Sequence, residues 1–142
     1  RRMAGTRTML DQWALAGETP ADRIRSFIDM MVANRADIKR YGCPVGTLCT
    51  ELAKLDHPAK DDAGMLFTLF RVWLRRQFEL LGRKADADTL AMHLLARSQG
   101  VAALANAFRD EAFIRAEVAQ MHDWLGGVLP TKTSRQTAAA RR

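Results

Sequence analysis

The segment from residue 60 to residue 82 constrains this chain more than any other. Leu66, Leu69, Phe70, Trp73 and Leu74 recur at spacings of three and four, one face of a helix, while Met65, Phe67, Val72 and Phe78 spread apolar surface nearly all the way round. A helix of that kind needs neighbours on most of its sides, so the rest of the chain has to supply them. Period-two alternation, the signature of strands, is missing throughout.

The neighbours have the same helical period. Ile24, Phe27, Ile28 and Met31 fall at i, i+3, i+4 and i+7 behind Thr19 and Pro20, which read as N-cap and first-turn proline, so a helix is expected from about Pro20 to Lys39. Gly42 and Pro44 end it, and a short helix from Val45 to Leu55 follows, closed by "DHP". The run "GRKADAD" offers a glycine stop for the long helix and an aspartate cap for the next, on which Leu90, Ala91, Leu94, Leu95, Val101, Ala102, Ala105 and Phe108 keep helical spacing. A last helix, about Asp110 to Leu125, has Ile114, Val118, Met121 and Leu125 as its stripe and ends at Gly126 and Gly127. Residues 1–16 allow one further helix carrying Met9, Leu10 and Trp13, whereas residues 130–142 have no apolar stripe and read as a basic tail. The expectation is an all-α bundle of five to six helices, with residues 1–129 forming one domain. A chain of 142 residues, 48% of them hydrophobic, is long enough for such a core.

Charge and cysteine content narrow the function. The net charge of +6 suggests nucleic acid until it is located, but seven of the 22 basic residues lie in residues 1–7 and 130–142, which hold no acid. The body between them carries 15 basic against 16 acidic side chains, a net of −1, so a basic DNA-reading face is not expected on it. Cys43 and Cys49 have five residues between them, outside C-x-x-C zinc or redox spacing, and His57, His93 and His122 have no H-E-x-x-H or carboxylate cluster beside them. No metal and no cofactor is expected. Nor is an enzyme, since a nucleophile with its base, paired carboxylates and a phosphate loop are all missing. Arg71, Arg75 and Arg76 interrupt the most apolar segment, which excludes a membrane span there, and a reduced, cytoplasmic setting is expected.

Two helices raise a packing question. The stretch "ARSQGVAALANA" is rich in small residues that permit close backbone approach, and the helix after it has a broad apolar face including Phe113 and Trp124. Both can be ordinary core. The alternative is a two-fold homodimer seam on Val101, Ala105, Phe108, Val118, Met121 and Leu125.

Several stretches together carry a family likeness. "GCPVGTLCTELA", the long aromatic helix, and "LLARSQGVAALANAFRDEAFIRAEVAQMHDWL" resemble the C-terminal regulatory domain of the TetR/AcrR family of bacterial transcriptional regulators, over about residues 20–129. The resemblance implies a dimer that binds a small-molecule effector inside the bundle and acts as repressor or activator through an N-terminal helix-turn-helix domain. Residues 1–16 would correspond to the connecting helix. No DNA-reading segment lies ahead of them, so the chain resembles a fragment of such a regulator, able to meet DNA only through a domain it does not contain.

Candidate site residues follow from periodicity. Cys43 stands at a helix entrance, where the dipole favours a thiolate, yet Cys49 is more than a turn further on, and structural packing is the plainer reading of both. Arg71 lies between Phe70 and Val72 in the most apolar turn; it must reach water, pair with an acid, or meet a polar or acidic ligand. Trp13, Phe27, Met31, Cys49, Phe67, Phe70 and Trp73 are the expected apolar walls of an effector cavity, with Arg71 as its polar group. The competing reading is a ligand-free helical interaction and dimerisation module.

Overall fold

The computed structural model describes residues 8, 10–12 and 19–130. Among these residues the chain is helical with no strand. Six helices run in order: α1 (Pro20–Ala33), α2 (Arg35–Tyr41), α3 (Pro44–Lys54), α4 (Lys60–Leu80), α5 (Ala87–Phe108) and α6 (Glu111–Val128). Residues 8 and 10–12 are helical too, and Leu10 is buried against the core.

Most ends are set by local chemistry. Thr19 Oγ1 accepts from Asp22 N at 3.1 Å and Pro20 opens α1, while Asp110 Oδ1 accepts from Phe113 N at 3.0 Å to open α6. Gly42, at φ 73°, turns the chain out of α2 in a conformation that side chains resist, and Cys43 is extended at φ −75°, ψ 122°, as the residue before a proline must be. Gly82, at φ 86°, stops α4. Asp86 occupies the N-cap position of α5, but its carboxylate pairs with Arg83 at 2.5 and 3.1 Å rather than with the helix N–H groups.

The single helix expected from Pro20 to Lys39 is in fact two. Asn34 interrupts it, with its Nδ2 donating to Met30 O at 3.0 Å and Arg35 Nη1 donating to Val32 O at 2.9 Å. Side chains that bond to nearby carbonyls in this way offer the backbone an alternative to the helical ladder. The far end of α2 is held from a distance: Asn106 Nδ2 donates to Lys39 O at 3.0 Å, and Arg109 Nη1 donates to Lys39 O and Arg40 O at 3.2 and 2.9 Å. These bonds satisfy carbonyls that a helix C-terminus leaves open.

The core lies where α1, α4, α5 and α6 meet. Ile24, Ile28, Leu74, Phe78, Ala91, Leu94, Ile114 and Met121 have essentially no exposure, and Phe78 meets Trp124 edge-on with ring centroids 6.2 Å apart. The small residues of α5 point inward at Ala87, Ala91, Ser98, Ala102 and Ala105, which lets α5 lie close along α4.

Candidate functional site

Beside the N-terminal half of α4 the bundle is hollow. Phe67 and Phe70 of α4, Phe27, Met30 and Met31 of α1, Ile38 of α2, and Leu95 and Ala102 of α5 surround a cavity of about 290 Å³. The rings of Phe27 and Phe70 lie 5.8 Å apart, tilted by 60°. Asn34, Asp37, Gly42, Cys43 and Pro44 complete the wall, so the break between α1 and α2 and the turn into α3 both border the space.

Its polar groups are few and mostly engaged. Ser98 Oγ donates to Leu95 O at 2.8 Å. Gln99 Nε2 donates to Cys43 Sγ at 3.3 Å, and Gln99 Oε1 rests against Gly46 so closely that a methyl group there would collide with it. Among the described residues, Asp37 is the one charged side chain in the lining, and it is exposed. A predominantly carbon-walled space with a handful of hydrogen-bonding atoms is the ordinary make-up of a small-molecule pocket, and 290 Å³ stands at the compact end of the usual range, about 300–1,000 Å³.

Four of the expected wall residues, Phe27, Met31, Phe67 and Phe70, come together here. Trp73 is half-buried against the core but does not line the cavity. Trp13 and the Cys49 side chain lie outside the described residues. Arg71 corrects its expectation: its side chain is 45% exposed and forms a two-pronged pair with Asp88 of α5, Nε to Oδ1 at 2.8 Å and Nη2 to Oδ2 at 2.6 Å. Phe70 and Leu74 take the inward face of α4, which leaves position 71 on the outside, where Asp88 meets it. That hydrogen bond, more than the attraction of the charges, holds the Asp88 carboxyl below the ordinary carboxylate range and raises the guanidinium further. Arg71 borders a shallow outer groove of about 320 Å³ that shares Phe67, Leu95 and Gln99 with the cavity, so those three side chains form the partition between the two.

Sequence reasoning missed Met30, Ile38, Leu95, Ser98, Gln99 and Ala102 as lining residues and placed Cys43 at a helix entrance only. A signal was present for Gln99, a long amide within a run of small residues on an inward face.

The family model described as transcriptional regulator LmrA/YxaF-like, C-terminal domain, matches residues 20–120, from α1 into α6. The chain belongs to the TetR family, as its C-terminal domain. A search of curated proteins finds no match. TetR-family regulators generally dimerise and bind effectors through such domains and bind DNA through an N-terminal domain.

The TetR domain does not offer the expected seam to a second copy. Val101, Ala105, Val118, Met121 and Leu125 are buried within the chain itself, Ala105 and Met121 to 0% exposure, because α5 packs on α4 and α2, α6 packs on α1, and the two helices pack on each other. Phe108 is different, at 76% exposure. The outward face of α5 carries Ala96, Gly100, Ala103, Leu104, Ala107 and Phe108, and that of α6 carries Ala112, Ala116 and Ala119. Among the described residues, no group of three or more His, Cys, Asp or Glu side chains could hold a metal, and no helix is long and apolar enough to cross a membrane.

Proposed function

We propose that this TetR-family domain senses a small, mostly apolar effector in the cavity beside the N-terminal half of α4, dimerises through the outward faces of α5 and α6, and controls DNA binding by an N-terminal domain of the full-length bacterial regulator. The cytoplasm is the compartment in which such a regulator works. The observation that carries the reading is the cavity of about 290 Å³ walled by Phe27, Met31, Phe67 and Phe70. A ligand-free interaction module has no use for such a space, which sacrifices packing contacts. Effector binding shifts the regulator between states only by its differential affinity for them.

Met31→Trp tests the effector arm by filling the space. A thermal-shift panel of small molecules should contain members that stabilise the parent chain and not the variant, provided circular dichroism finds both folded. Stabilisation of both alike by every hit would place binding elsewhere. The dimer arm is tested by Leu104→Arg and Ala116→Arg, both on outward faces. Each should yield monomer by sedimentation where the parent yields dimer.

A further inference from the structure

We propose that Gln99 is at once the recognition group of the cavity and the side-chain tie that holds α3, so that a neutral, compact, mostly apolar molecule with one hydrogen-bonding head loosens α3 by binding. The proposal rests on the cavity being an effector site, and it adds the ligand's chemical class and the element that responds.

The class follows from what faces the space. Arg71 lies outside it and is committed to Asp88. Asp37, the one charged lining group among the described residues, is exposed at the rim on α2, with Arg35, Lys39 and Arg40 beside it in the sequence. A charged head taken into the interior would lose its water without meeting a counter-charge there, which is costly. A neutral hydrogen-bonding head needs only a partner. Ser98 spends its one donor on Leu95 O, and Asn34, which gives one amide hydrogen to Met30 O, is exposed to water at the rim rather than set in the interior. Gln99 spends one amide hydrogen on a sulfur, a weak acceptor, and an amide has two hydrogens and two lone pairs, so exchanging that bond for one to a ligand costs little.

The same amide links α5 to the start of α3. Its Nε2 reaches Cys43, the residue that caps α3, and its Oε1 occupies the space that a side chain at position 46 would fill. Only glycine admits it. Among the described residues α3 otherwise packs mainly against α4, and beyond its C-terminal end Leu55 is exposed and Asp56 is held at φ 47°, a conformation that L side chains seldom adopt. A helix held on one side responds to loss of a tie on another. A ligand that turns the Gln99 amide toward itself removes that tie, and recognition and release become one event.

The ligand-free arm uses hydrogen exchange on the full chain with Gln99→Met, which keeps the length and deletes the amide, and Gly46→Ala, whose methyl displaces the flexible end of Gln99 rather than any backbone. Both should speed exchange across α3 by about tenfold while α6 exchanges as in the parent; unchanged α3 exchange in Gln99→Met overturns the tie. The ligand arm compares four probes sharing one phenylbutyl body by calorimetry: 4-phenylbutyramide, butylbenzene, 4-phenylbutyrate and 4-phenylbutylamine. The amide should bind about tenfold tighter than each of the others, speed α3 exchange when bound, and lose its advantage over butylbenzene in Gln99→Met. Tightest binding by the acid or the amine overturns the neutral class, and an amide advantage that survives in Gln99→Met overturns the role of Gln99. Binding by none of the four overturns the class, whereas the effector reading is judged separately by the thermal-shift comparison of Met31→Trp with the parent.

Discussion

The two halves of α4 do opposite things with similar residues. Toward its C-terminus, Leu74 and Phe78 are fully buried, Gln77 is 4% exposed with its Oε1 accepting from Arg23 Nη1 at 3.3 Å, and Trp124 closes over Phe78. Toward its N-terminus, Phe67 and Phe70 border empty space. Hydrophobicity does not distinguish the halves; neighbours do. Both halves lie against α1 and α5, but Trp124 of α6 closes the filled half, whereas the short helices α2 and α3 and the turn between them complete the wall of the hollow one. Short elements joined by tight turns cannot interdigitate side chains along a long seam, and a space remains.

Truncation should expose this contrast most strongly. Phe78→Ala deletes a ring in close-packed surroundings and is expected to cost about 3–5 kcal/mol in denaturant unfolding. Phe67→Ala, half-exposed and facing the cavity, should cost about 1 kcal/mol, because contacts on one side are already forgone. Equal losses would break the comparison. Enlargement should reverse the order of tolerance: Leu94→Trp, at a position of 0% exposure among filled neighbours, is expected to lose about 1–3 kcal/mol or more, and Met31→Trp to stay within about 1 kcal/mol because its extra volume has somewhere to go.

The smallest effect belongs to the outer surface of the hollow half. The Asp88 carboxyl is held below its ordinary range by Arg71, so folded and unfolded states bind protons differently in acid. A carboxyl with a depressed folded pKa stabilises the fold above its unfolded value near 4 and loses that contribution as pH falls through the lower folded value. Asp88→Asn should therefore be slightly less stable than the parent at pH 6, with the difference closing as acid titration passes below about pH 4. Because the pair is exposed, high salt should shrink the difference too.

How much of this was legible beforehand depended on how far apart the interacting groups are in sequence. Thr19 with Asp22, Pro20, Gly82 and Asp110 with Phe113 act within a few residues, and helix ends read from them fell close to those observed. The break at Asn34 was hidden because its cause is a choice of side-chain hydrogen bonds rather than a breaker residue. Arg71 stood out correctly as a charge in an apolar turn, but its partner lies 17 residues away on another helix, and periodicity along one helix cannot supply it. The cavity was half legible for the same reason: the α1 and α4 walls belong to strong stripes, whereas Gln99, Ser98 and Cys43 belong to it only through packing between helices. On α5 and α6 the stripes expected to meet a second copy are the ones that build the core, since a helix apolar on both faces does not announce which face turns inward.

The cap on α2 has a consequence for the order in which this domain assembles. Asn106 and Arg109 bind Lys39 and Arg40 across 67 to 70 residues of chain. Closing a flexible loop of that length costs about 4 kcal/mol of chain entropy, against about 1 kcal/mol for the three-residue link that caps α1. The carbonyls at the end of α2 must therefore wait for α5 to dock, and the wall they support is completed only with that long-range contact. In pulsed hydrogen exchange during refolding, the amides at the end of α2 should gain protection together with those of α5 rather than with those of α1, which makes the closing of the hollow end a long-range event.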